Sequence, residues 1–110
     1  MTEVVVCRKR DGSIVSVKVE GHSGYASFGQ DIVCSSVTTL VQVLHVGLVD
    51  VLGMDVLSTL DEKKALIFMR WEEVTSESQA ISSAVCESFR ALSKTYPKNV
   101  KLVEVQVNAF

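Results

Sequence analysis

The sequence predicts an α+β domain, a mainly antiparallel sheet packed with two helices in the order ββαββαβ. Three observations predict it. Two valine-rich runs flank an Asp11-Gly12 turn, a long stretch from residue 31 changes to a helical period, and a second strand pair, helix and strand follow. The 110 residues are enough for one modest core, and no linker, internal repeat or low-complexity segment divides them. Residues 1–110 are therefore read as a single domain.

Residues 3–9 and 14–20 are the first strand pair, because an Asp-Gly between two β-prone runs is a strong hairpin signal. In the second run Val15, Val17 and Val19 alternate with Ser16, Lys18 and Glu20, as in a strand with one wet face. From residue 31 the apolar positions Val33, Val37, Leu40, Val41, Leu44, Leu48, Val51 and Leu52 fall at three- and four-residue steps. Ser35, Thr38, Gln42 and His45 lie mainly on the other side. With Asp31 as N-cap and Gly53 as stop, the helix is expected over 31–52. Residues 56–60 and 65–71 make a second hairpin around Asp61-Glu62-Lys63-Lys64. A helix over 78–95 carries the stripe Ile81, Val85, Phe89, Leu92, Tyr96 and ends before Pro97. Residues 100–107 close the chain as a strand.

Composition narrows the function. Apolar residues make up 47% and aromatics only 6%, so the core must be mostly valine and leucine. A net charge of −2 offers no general basic surface, and no direct nucleic-acid contact is expected. The N-terminal order of apolar run then charges is wrong for a signal peptide, and no uninterrupted apolar run reaches membrane-spanning length. A cytoplasmic protein with reduced thiols is the expectation. Cys7, Cys34 and Cys86 fit no metal spacing, and neither a metal nor a cofactor is expected.

Chemistry concentrates in residues 21–40, GHSGYASFGQDIVCSSVTTL. Cys34 would stand at the third position of the helix, where unpaired backbone N–H groups and the helix dipole favour a thiolate. The same N–H groups suit an oxyanion formed by attack on a carbonyl. His22, leaving the preceding strand, is the candidate general base. Cysteine is also among the most buried residue types, so packing alone competes with this reading, and Cys7 and Cys86 are assigned to packing. Asp31 can cap the helix or orient His22, while Thr38, one turn beyond Cys34, can offer its hydroxyl to thiol or substrate. Gly21, Gly24 and Gly29, interleaved with Tyr25 and Phe28, give a glycine-rich loop with an apolar wall for an extended peptide. The loop has no phosphate-binding pattern. A thiol redox role lacks a second cysteine beside Cys34.

The segment resembles the Prp family of bacterial ribosomal-processing cysteine proteases. The resemblance rests on Gly21, His22, Gly24, Tyr25, Gly29, Asp31, Ile32, Val33 and Cys34, and the element order extends it over essentially the whole chain. It implies Cys34 as nucleophile and His22 as general base, with Asp31 and Thr38 in support. Members often carry alanine at the position of Ser23 and serine at that of Thr38. The implied activity is removal of the N-terminal extension of a large-subunit ribosomal protein, supporting ribosome assembly. The resemblance also implies a homodimer, which Val43, Val46 and Val49 on the first helix would suit. The competing reading is a non-catalytic ribosome-associated binding module with an inert Cys34.

Overall fold

The computed structural model describes residues 1–21 and 32–107. Strands β1 (Thr2–Arg8) and β2 (Ile14–Glu20) form the first hairpin. Its turn closes with Lys9 N–H donating to Ser13 O at 2.8 Å, and Gly12 takes a φ of +91°. Helix α1 (Ile32–His45) follows and continues into a π-helical turn, Val46–Val51. Strands β3 (Leu57–Asp61) and β4 (Leu66–Arg70) make the second hairpin, then helix α2 (Ser76–Thr95) and strand β5 (Val100–Gln106) complete the predicted order.

The sheet runs β3-β4-β2-β1-β5, antiparallel throughout except for the parallel β1–β5 pair. Register sets the two faces. Val4 and Val6 lie opposite Val19 and Val17, which in turn face Ile67 and Met69, and this row meets the helices. Val33, Val37, Val41 and Leu44 of α1 join Val85 and Phe89 of α2 in the same buried cluster. At roughly 1.5–3 kcal/mol for each fully buried aliphatic or aromatic side chain, this one cluster is the main source of stability. Its makeup is as expected, valines and leucines with few rings; Trp71 and Phe89 are the largest fully buried side chains.

The first helix departs from expectation at its end. An α-helix returns to one face every 3.6 residues, so Val51 should share the face of Leu44. The wider π-helical turn breaks that phase, with Leu52 N–H donating to Gly47 O five residues back at 3.0 Å. Leu48 stays buried, but Val51 emerges 71% exposed. Gly53 then ends the helix at a φ of +65°, as its composition predicts, with Gly53 N–H to Val49 O and Met54 N–H to Leu48 O. Gly47 allows the close packing here, since an added Cβ would lie 2.9 Å from Ile81 Cγ2.

Residues Ile32–Val51 are, by length and a mean hydropathy of 1.9, apolar enough to cross a membrane. In this fold the helix lays Val33, Val37, Val41 and Leu44 into the core, and Ser35, Thr38, Thr39 and Gln42 interrupt its outer side. Helix α2 starts two residues before the predicted Ser78. Thr75 is its N-cap, accepting from Ser78 N–H at 3.0 Å while Thr75 N–H donates to Ser78 Oγ at 3.0 Å. A serine at the third position does the reciprocal work usual for Glu or Gln, which hid the start.

Candidate active site

Gly21 closes β2 and opens the glycine-rich segment. Its position follows from strand register: Glu20 pairs with Leu66, which sets Gly21 beside the turn of the second hairpin. Gly21 N–H donates to Ala65 O at 3.0 Å, and Thr2 Oγ1 donates to Gly21 O at 3.4 Å. Its φ of +95° and the Met1 carbonyl oxygen, which a Cβ would strike, leave room only for glycine. Both backbone polar groups of the residue preceding His22 are thus held. Ala65 itself takes φ +49°, the left-handed conformation that aims its carbonyl at Gly21.

Cys34 is the third residue of α1 and is partly exposed. The first N–H groups of a helix lack intrahelical acceptors, so α1 presents donors beside the sulfur. A cleft of about 380 Å³ opens over this helix start. Cys34 and Thr38 lie in its wall together with Gly21, so three of the sequence-derived site residues meet there. Val37 and Val41 of α1, Val19 of β2, and Leu60, Leu66 and Ile67 of the second hairpin give it an apolar lining. Thr2, Gln42, Asp61 and Glu62 add polar groups. Such a chamber suits an extended peptide with apolar side chains, its backbone held by a few polar contacts.

His22, Gly24, Tyr25, Phe28, Gly29 and Asp31 lie outside the described residues. The second hairpin and Thr2 are the contributors that sequence reasoning missed. Neither lies near residues 21–40 in sequence; the β2–β4 and β1–β2 pairings bring them to the cleft.

The other thiols differ from Cys34. Cys86 is 1% exposed beneath an ion-pair network in which Glu104 is bound by Arg8 and Arg90 at 3.1 and 3.0 Å. Burial first, then the Glu104 charge, pushes its thiol up from the ordinary value. Glu104 is held below the usual carboxylate range by its hydrogen bond from Arg90. Cys86 therefore packs, as expected. Cys7 lies opposite Ser16 and Val105, half-buried on the face of the sheet away from the helices. His45, expected on the solvated side of α1, is half-buried. No group of three metal-ligating side chains occurs among the described residues.

A cysteine at a helix start, set in a peptide-sized apolar cleft on an α+β sheet, fits a thiol hydrolase. Residues 1–101 match the model of the family described as cysteine protease Prp, and the chain belongs to that family. It is a cysteine protease. The ribosomal processing cysteine protease Prp of Bacillus subtilis (strain 168) is 22% identical over 107 residues, covering 93% of this chain and 96% of that one. The crystal structure of the essential ribosomal processing protease Prp from S. aureus, in complex with a covalently linked product peptide, shares the fold. Its TM-score is 0.89 at 19% identity, over 94% of this chain and 99% of that one. A Streptococcus mutans crystal structure gives 0.84 at 24% identity, over 97% and 96%. The fold so matched is the five-stranded, mainly antiparallel sheet with two helices.

Proposed function

We propose that the protein removes the N-terminal extension of a large-subunit ribosomal protein by attack of Cys34, with His22 as general base. The observation that carries this reading is Cys34 at the start of α1 in the wall of the apolar cleft, with Thr38 beside it. The Cys34 sulfur, having given its proton to His22, bonds to the scissile carbonyl carbon. The resulting oxyanion is stabilised by N–H groups at the start of α1. Collapse breaks the C–N bond, and His22 gives the proton to the leaving amine. Water, deprotonated by His22, then attacks the thioester; the new carboxyl-terminated peptide departs and the thiol is restored.

The remaining assignments have graded roles. Asp31 is assigned a supporting role, as a cap that would sustain the helix start serving Cys34, and Thr38 would offer a hydroxyl to the substrate. Gly21, Gly24 and Gly29 with Tyr25 and Phe28 form the segment that receives the peptide. The ribosomal substrate is supported by the relatives, which are ribosomal processing proteases. It would be met in the cytoplasm, during ribosome assembly. A homodimer is supported by the outer face of the first helix, where Val43 and Val46 are exposed at 49% and 46% with Val49 half-buried between turns.

The direct test is incubation of the tagged ribosomal-protein precursor with wild-type, Cys34→Ala and His22→Ala protein. The expected result is cleavage by wild type alone. Wild-type rates from either variant would refute the dyad. Identical encoded and mature N-termini of that ribosomal protein, initiator methionine aside, would refute the substrate.

A further inference from the structure

We infer that the outer edge of β3 is a docking rail for the substrate chain, and that the acidic groove at its far end selects basic residues about four to six positions beyond the scissile bond. The inference rests on the reading that Cys34 cuts an extended peptide.

Strand β3 is the last strand of the sheet on its side; β4 pairs with one edge, and among the described residues no strand pairs with the other. Open edges are usually blunted by lysine, proline or a bulge. Leu57–Asp61, with the sequence LSTLD, has neither residue, keeps an unbroken register with β4, and exposes Leu57 and Leu60 at 63% and 67%. A row of unpaired backbone groups flanked by exposed leucines suits strand addition by a peptide.

The two ends of the rail are different. Leu60 stands opposite Ile67 and lines the Cys34 cleft. Leu57 stands opposite Arg70 and lines a second groove, of about 550 Å³, at the open end of the hairpin. Asp55, Glu72 and Glu73 give that groove three carboxylates against the one guanidinium of Arg70. Trp71 lines it too. Three carboxylates and an open strand edge together fit a basic extended peptide.

Direction follows from pairing. Antiparallel neighbours are the commoner and slightly more stable arrangement. Since β3 runs from the acidic groove to the cleft, a peptide antiparallel to it runs from the cleft to the groove. The residues that reach the carboxylates are therefore C-terminal to the cut, in the part the mature protein keeps. The three steps from Leu60 to Leu57 span roughly 10 Å, and the groove lies just beyond.

The test uses Cys34→Ala protein and fluorescein-labelled synthetic peptides spanning the extension junction, with lysine or glutamine at the fourth to sixth positions after it. Fluorescence anisotropy should show the lysine peptide binding about tenfold tighter in low salt, with the advantage shrinking as salt rises. The combined Asp55→Asn, Glu72→Gln, Glu73→Gln substitution should remove that advantage and leave glutamine-peptide affinity unchanged. N-methylation of alternate backbone nitrogens between junction and basic residues should weaken binding, and methylation of the intervening ones should not. Equal affinities for the two peptides, a lysine advantage that survives the triple substitution, or binding by neither peptide overturns the acidic groove. Indifference to N-methylation at every position overturns the rail. Turnover is scored separately with wild-type protein: a peptide bound with the lysine advantage yet never cut supports the groove and refutes the catalytic reading.

Discussion

At the scale of single residues, the site depends on backbone positions as much as on the thiol. Gly21 combines a positive φ with a carbonyl oxygen in the space of its missing Cβ, so Gly21→Ala has no relaxed solution. The substitution should cost about 2 kcal/mol or more in urea unfolding and reduce cleavage more than substrate binding. The thiols give a second expectation. Brief iodoacetamide treatment at mildly acidic pH should label Cys34, while Cys86, 1% exposed, should react only after unfolding. Mass spectrometry of tryptic peptides distinguishes them; labelling of Cys86 at the Cys34 rate would contradict its burial. Because the folded protein raises the Cys86 thiol above its unfolded value, the folded state holds its proton longer. That contribution is complete at neutral pH and diminishes as pH rises through the ordinary thiol value of 9.0, a loss that Cys86→Ala should remove. The place of Cys34 at a helix start was legible in the sequence because the change to a helical period falls just before it. Thr2 and Ala65 were not, since a threonine opening a strand and an alanine in a turn carry no local chemical mark.

At the scale of elements, local signals predicted what local forces build. The Asp11-Gly12 turn and the Gly53 stop are as read, whereas β2 alternates only in its second half: Ile14 to Val17 are all buried, Ser16 included, where the pairing with β1 shifts register. The start of α2 was misplaced because Thr75 and Ser78 cap it reciprocally with an unusual partner residue. Thr75→Ala should destabilise the protein by about 1 kcal/mol and Thr75→Ser by much less, measured by thermal unfolding. The π-helical turn was invisible for a different reason. Valine at 46, 49 and 51 fits either winding, and the turn packs where Gly47 meets Ile81 on α2, a tertiary contact that periodicity cannot register. The result transfers Val51 from the core face to the surface and widens the apolar strip that begins at Val43.

At the scale of the whole molecule, the proposed homodimer would use that strip as its seam. Val43→Asp with Val46→Asp should convert a dimer into a folded monomer in sedimentation analysis, since both side chains lie outside the core. An unchanged sedimentation coefficient would exclude this face. Strand order was the part of the fold least legible in advance. Hairpins announce themselves by their turns, whereas the parallel partnership of β1 with β5 has no turn between its members and is written only in the match of two valine-rich edges. That partnership has a consequence in time. Thr2 pairs with Val100, so β1 gains its second neighbour from a strand that lies beyond α2 in the chain. A pairing across that sequence separation forms more slowly than either hairpin, so the β5 edge should be the last part of the sheet to close during refolding.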